Sequence, residues 1–363
     1  MARKKRFSLA LTAVLCVVCL LLGAALGAFF AAWQSAKEFT TDTVTVDGDF
    51  EVHFLELGNK YTGDSTYIKF GDIDILIDAG SRMSSAAVIG EYLSSHVTDG
   101  ILEYVIVTHA HQDHYAGFAL RDGGIFDLFE CKVIIDFAKT NQTATGTNMY
   151  SNYLAERDAE IEAGATHYTA AEAVAQFGGK FELAEGLTMT VLDSYYYHNY
   201  SSDENEYSVC TLFTYGERHY LFTGDLEAGG EEKLVEMNQL PEVALYKAGH
   251  HGSKTSSNEV LLSVIKPEIV CVCCCCGSSE YTSANANQFP TQAMIDRIAP
   301  YTDKVYVTTM CIDYEADLFA SMNGNIAVIT DQNGVRVSCS NDNRVLKEWD
   351  WFKQNRTCPD DWK

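Results

Sequence analysis

The sequence predicts an α/β fold: two mixed β-sheets packed together, with helices on the outside. Three observations carry that expectation. Short β-branched and aromatic runs, too brief for helices, recur between residues 52 and 339. Stretches of helical spacing lie between groups of these runs, the pattern of layered mixed sheets. No long Pro- or Ser-rich linker interrupts residues 45–340, so this region reads as one domain, and 363 residues supply ample core.

Residues 1–36 stand apart. Arg3, Lys4, Lys5 and Arg6 precede an uncharged run over 7–36, rich in Leu, Ala, Val and Phe. Crossing a bilayer core takes about 20 such residues as helix, and the basic tip stays cytoplasmic. A transmembrane signal anchor is expected. Small residues at Gly27, Ala28 and Ala31 keep a cleaved signal peptide as the alternative. Either way the remainder is exported, as the extracellular part of a single-pass membrane protein or as a secreted one. A linker follows at 37–44.

Residues 52–58 alternate like a strand. Residues 66–70 and 73–77 pair around Gly71-Asp72, and 84–95 carry helical spacing before a strand at 101–107. Another strand covers 131–137, then helices 150–163 and 169–177 and a hairpin over 181–192. The runs 209–215 and 218–223 turn at Gly216-Glu217. Helices at 230–237, 258–264 and 292–298 alternate with strands at 244–248 and 271–276, and strands 305–307, 324–330 and 334–339 follow. The polar tail 341–363 reads as a peripheral appendage.

Lys+Arg number 26 against Asp+Glu 50, a net charge of −24. Such a surface repels polyanions, which counts against a stable nucleic-acid complex, although a nuclease acting on one phosphate at a time remains compatible. Of twelve cysteines, five crowd the block 271–276 (CVCCCC). Without a C-x-x-C partner at zinc spacing, they read as small apolar fillers of a buried strand.

The chemistry centres on 108–117 (THAHQDHYAG), on the loop after the strand ending in YVIV. His109, His111, Asp113 and His114 form H-x-H-x-D-H. Alternation along an extended segment points His109 and His111 one way. After the bend, Asp113 and His114 face a second point. That is the donor set of a two-metal hydrolytic centre, and four donors in six positions are hard to read as a chance polar loop. Gly224-Asp225 follows a hydrophobic strand. Alone it would be an ordinary turn; in this company Asp225 is the candidate bridging carboxylate. His250 and His251 end another strand, where one can ligate while the other serves as general acid. Lys247 on that strand could neutralise an anionic substrate. His198, in the tyrosine-rich stretch 193–207, reads as exposed, with metal ligation as the alternative.

These clusters resemble the metallo-β-lactamase fold superfamily, and in particular its ComEC-type secreted hydrolase branch. Residues 52–58 with Gly63-Asp64-Ser65 are similar to that branch's opening F-L-D-V-G-Q-G-D-A. ILIDAG (75–80) matches its L-L-I-D-A-G, Asn205 to Ser208 its N-x-x-S, and 247–253 its K-x-G-H-H-G-S. The resemblance covers about 45–340 and implies a four-layer αββα sandwich with the metals at one edge between the sheets. It further implies two divalent cations, zinc with manganese as the alternative, held by His109, His111, Asp113, His114, Asp225 and His251. Asp113, Asp225 and His250 would be catalytic, and Lys247, Ser253, Asn205 and Ser208 would bind substrate. The split between His250 and His251 could be reversed. The third superfamily histidine falls near Asn205, a poor ligand, and His198 is the substitute to test. A late His-Pro becomes Phe289-Pro290 here. The implied activity is hydrolysis of a phosphodiester or related anionic ester, small or polymeric. The rivals are a lactone, thioester or β-lactam hydrolase and a non-catalytic, metal-stabilised surface protein.

Overall fold

The computed structural model describes residues 43–363 apart from 45, 47 and 147; the expected membrane anchor lies outside the described residues. Among the described residues no helix is long and apolar enough to cross a membrane.

The first sheet begins with β1 (Phe50–Phe54), β2 (Thr66–Phe70), β3 (Ile73–Ile77), β4 (Ile101–Ile106), β5 (Glu130–Asp136) and β6 (Thr166–Thr169). The second collects β7 (Lys180–Ala184), β8 (Leu187–Val191), β9 (Thr211–Tyr215), β10 (Arg218–Phe222), β11 (Leu245–Lys247), β12 (Ile269–Cys276), β13 (Val305–Asp313) and β14 (Leu318–Ser321). The chain then returns with β15 (Ile326–Asp331) and β16 (Gly334–Cys339) to flank β1, giving the order β16-β15-β1-β2-β3-β4-β5-β6. Both sheets are mixed. Strands β1-β2-β3, β7-β8-β9-β10 and β13-β14 and the pairs of β15 with β1 and β16 are antiparallel, whereas β3-β4-β5-β6 and β10-β11-β12-β13 run parallel, with longer connections returning the chain to the same end.

The sheets meet face to face through aromatic side chains. Phe50 packs on Tyr220 with centroids 4.7 Å apart, Phe54 on Phe222 at 6.3 Å, and the Tyr220 hydroxyl lies 2.6 Å from Thr330 Oγ1. Strand β12 shows why the cysteine block is apolar along its whole length. Ile269, Cys271 and Cys273 enter the core between the sheets. Val270, Val272, Cys274 and Cys276 enter a second core under the helices Glu259–Ile265 and Gln292–Ile298. A strand buried on both faces has no polar side to alternate with.

Two expectations need correction. The tyrosine-rich stretch 193–207, whose composition reads as a loop, carries two short helical turns, Tyr195–His198 and Glu204–Tyr207. The tail is not peripheral, since Leu346, Trp349, Phe352 and Trp362 are buried in the second core. Leu346, Trp349 and Phe352 recur every third residue, but over turns as short as Leu346–Glu348 and Asp350–Asn355, too brief to stand out among polar neighbours.

Candidate metal centre

Four strand ends converge on one point. Asp78 leaves β3, the segment 108–114 leaves β4, Asp225 leaves β10 and 248–253 leaves β11. A crevice outside the carboxyl ends of parallel strands is the usual place for a site in an open α/β sheet. Main-chain bonds tie these loops together, one of them across the two sheets. Val209 N–H donates to Thr108 O at 2.8 Å, Ala79 N–H to His114 O at 2.7 Å, and Asp64 N–H to Asp113 O at 3.0 Å.

Asp225 sits at the centre, buried. Its place depends on Gly224, which turns through φ +54°; a Cβ there would come within 2.8 Å of Ser208 Oγ. Ser208 Oγ accepts the Asp225 N–H at 3.0 Å. Around the Asp225 carboxylate, Oδ2 lies 3.1 Å from His114 Nε2, 3.2 Å from His251 Nε2, 3.9 Å from His250 Nε2 and 4.0 Å from His109 Nε2. Asp113 Oδ2 is 3.4 Å from His251 Nε2, and His109 Nε2 is 3.0 Å from His111 Nδ1.

The ring orientations follow from what stands behind them. His114 Nδ1 lies 2.8 Å from Asp78 Oδ2, which can only accept, so Nδ1 carries the proton and Nε2 faces inward. Asp78 is itself fixed by the Thr108 N–H and hydroxyl, both at 2.8 Å. His251 Nδ1 likewise meets Asp64 Oδ1 at 3.1 Å and Cys273 O at 3.0 Å. Asp64, His114, Asp225 and His251 form a buried group whose ligand atoms lie within 4.8 Å of one another. Within it, Asp64 stands on the Nδ1 side of both rings and Asp225 on the Nε2 side. Asp64 therefore orients His251 as Asp78 orients His114, and the Nε2 atoms are the ones presented to an ion.

The donor set fits a cation. His114 Nε2, His251 Nε2 and Asp225 Oδ1 are buried without a hydrogen bond of good geometry, an arrangement that burial penalises unless something polar is bound. Burial would depress His114, yet Asp225 and Asp78 hold its pKa well above the ordinary value; burial opposes His251 in the same way, and Asp225 and Asp64 raise it. Asp225 is kept well below the carboxylate range against its burial by His114, His251 and His250. Burial, reinforced by the neighbouring His114, pushes His109 well below its usual value, which leaves its lone pair free. His250 and His251 both adopt left-handed backbone, φ +46° and +54°. Strain of this kind at non-glycine residues costs on the order of 1–3 kcal/mol each and is typical of functional loops.

The substrate-binding expectations meet a different geometry. Lys247 is 3% exposed and its Nζ pairs with the Asp64 carboxylate beneath the site. The alternation of β11 turns it inward, so it balances a buried charge rather than meeting substrate. Ser208 is fully buried on Asp225. Asn205 is buried with its amide 3.3 Å from Glu227 Oε1. Ser253 closes the histidine turn through its N–H to His250 O at 2.8 Å. His198 is half-exposed and pairs with Asp193 at 3.0 Å.

The open side is a cavity of about 330 Å³ lined by Arg82, His111, Gln112, Asp113, Asp225, His250, Glu280 and Tyr281. Arg82, Glu280, Tyr281 and the orienting Asp64, Asp78 and Glu227 went unassigned in the sequence. Asp64 and Asp78 lay within the motifs Gly-Asp-Ser and ILIDAG; the others carry no sequence signal.

No family model matches the chain. It is 26% identical over 274 residues to Recombination protein 2 of Haemophilus influenzae, covering 74% of this chain and 29% of that protein. It is 36% identical over 111 residues to Competence protein ComA of Neisseria gonorrhoeae, covering 30% of this chain and 15% of that one. The chain thus spans under a third of the length of these relatives. Among solved structures, the metallo-beta-lactamase fold protein YhfI from Bacillus subtilis aligns with a TM-score of 0.40 at 12% identity, over 72% of this chain and 96% of that one. Human tRNase Z, short form, aligns at 0.36 and 14%, over 71% and 92%.

Proposed function

From the chain's likeness to the ComEC-type branch of the metallo-β-lactamase fold superfamily, we propose that it is a metal-dependent hydrolase of phosphodiesters or related anionic esters, working outside the membrane. The observation that carries this reading is the convergence of His109, His114, His250 and His251 on the buried Asp225 carboxylate, with imidazole nitrogens lacking partners. Two divalent cations, zinc in the first instance and manganese in the second, would supply Lewis-acid polarisation and a water of lowered pKa. His109, His111 and Asp225 would hold one, and Asp113, His114, Asp225 and His251 the other.

The chain's own groups divide the remaining work. Asp113 and Asp225 accept from the attacking water and orient it. His251 is enclosed and faces Asp225, which favours it as the ligand of the histidine pair. His250 stands at the cavity with Nδ1 3.1 Å from Glu227 Oε1, so its Nε2 is placed to protonate a leaving oxygen. With Lys247 withdrawn below the site, Arg82 is the cationic side chain on the cavity wall. Residues 1–36 would anchor the domain to the membrane or export it. Small esters, or a surface polymer engaged one ester at a time, suit the acidic surface better than a tightly held nucleic acid. A phosphorylcholine-esterase-like role and an extracellular nuclease are two forms of this reading.

The test is metal analysis of the purified chain together with turnover of bis-p-nitrophenyl phosphate, a lactone and nitrocefin. Bound divalent metal and diester turnover abolished by chelation are expected. Faster turnover of the lactone or nitrocefin would reassign the substrate. Chelation that lowers the melting temperature of a protein with no turnover would leave a metal-stabilised surface protein.

A further inference from the structure

The stretch 277–289 leaves β12 beside the cavity, and the reading above gives it no task. Its base is pinned from several sides. Gly277 N–H donates to Phe289 O at 2.8 Å. Glu280 is held by Arg82 Nη2 at 3.0 Å and by the Thr62 N–H at 2.8 Å. Arg356, from the buried tail, donates to Asn285 Oδ1, Gln288 O and Pro290 O at 2.8, 2.7 and 2.9 Å. These anchors hold Tyr281 across the mouth of the site. Its ring packs on Phe289 with centroids 5.6 Å apart, and its hydroxyl donates to Asp113 Oδ2 at 2.8 Å, yet 56% of the residue is exposed.

The other donors on the cavity wall have partners or a task of their own, His250 Nε2 being the donor to the leaving oxygen. Arg82 is tied to Glu280 and stacked on Tyr61 at 3.7 Å. His111 Nδ1 faces His109, and His250 Nδ1 faces Glu227. An ester attacked by water develops negative charge on an oxygen inside the cavity, and a positioned hydrogen-bond donor there is worth about 10²–10³-fold in kcat. The phenolic O–H is a hydrogen-bond donor. Asp113 does not depend on this contact: His251 Nε2 lies 3.4 Å from the same oxygen, and Asp113 O accepts the Asp64 N–H. An exposed side chain reorients within nanoseconds. Tyr281 can therefore turn from Asp113 to a ligand while its loop stays anchored.

We propose that Tyr281 is a catalytic residue of this site, its hydroxyl leaving Asp113 to donate to an anionic oxygen of the bound ester as charge builds there. The proposal rests on the hydrolase reading above. The phenol keeps its proton throughout, and no covalent bond to Tyr281 forms or breaks.

The test compares the metal-loaded full chain with its Tyr281→Phe variant, which keeps the ring and removes the hydroxyl. Three quantities are read: turnover of bis-p-nitrophenyl phosphate, calorimetric binding of orthovanadate as a five-coordinate phosphate mimic, and bound metal per chain. The expected result is a kcat lower by about 100-fold, a KM changed less than about threefold, weaker vanadate binding and unchanged metal content. Unchanged kcat and unchanged vanadate affinity overturn the proposal. So does a loss that excess metal restores, since Tyr281 would then only position Asp113. A wild-type chain that binds vanadate through Tyr281 without turnover upholds the contact and sinks the hydrolase reading. One that neither binds nor turns over sinks both.

Discussion

Asp78 shows how much of the site is set one step behind the groups that face the cavity. It holds the His114 ring from the Nδ1 side and is held in turn by Thr108. Asp78→Asn keeps the size and weakens the acceptor, so metal affinity, read by competition with a chromophoric chelator, should fall about 10–100-fold. Lys247 makes the complementary case. Exchanging it for Met would leave Asp64 as a buried carboxylate without its counter-charge. We expect Lys247→Met to destabilise the chain by about 3–5 kcal/mol in urea. A lysine serving substrate alone would leave stability unchanged and raise KM. The residue letters advertised a cation for an anionic substrate; only the inward face of β11 revealed a counter-ion.

At the scale of elements, the strand ends are held in place by helix-borne polar groups as well as by the sheets. Glu231, on the helix Ala228–Met237, accepts from the Ser257 N–H at 2.6 Å and from the Asn258 N–H and side-chain amide at 2.8 and 2.9 Å. It thereby pins the segment that follows the histidine turn. Burial pushes its pKa up to about 7, and the three N–H donors offset only part of this. The folded chain thus keeps a proton that the unfolded chain releases near the ordinary glutamate value of 4.5. The stabilising contribution is complete below that value and disappears as pH rises through about 7. Urea denaturation at pH 5 and pH 8 should show the wild type losing on the order of 2–3 kcal/mol more than Glu231→Gln across this window. Equal losses in the two proteins would sink the assignment. Most of the parallel strands were legible because β-branched runs followed by Gly, Asp or His announce both strand and loop; β6 and the second half of β13 were not. The turns at Tyr195–His198 and Glu204–Tyr207 were not, because a single helical turn leaves no periodicity to detect.

On the scale of the whole molecule, the tail joins the fold to the site. Phe352 and Trp362 pack at a tilt with centroids 5.7 Å apart in the second core, and Arg356, between them in sequence, anchors the stretch that carries Tyr281. Trp362→Ala should cost about 3–5 kcal/mol, measured as a lowered denaturation midpoint; a change below 1 kcal/mol would return the tail to the periphery. By itself the sequence determined the paired mixed sheets, the loop identity of the histidine and aspartate clusters and the acidity of the surface. Each of these is written in local periodicity or in composition. Tertiary structure alone decided that Asp64 and Asp78 stand behind the imidazoles, that Lys247 faces a buried carboxylate, and that a loop fixed by the last residues of the chain reaches Asp113. Those facts depend on which side chains meet across hundreds of residues, and no local pattern encodes a distance between strands.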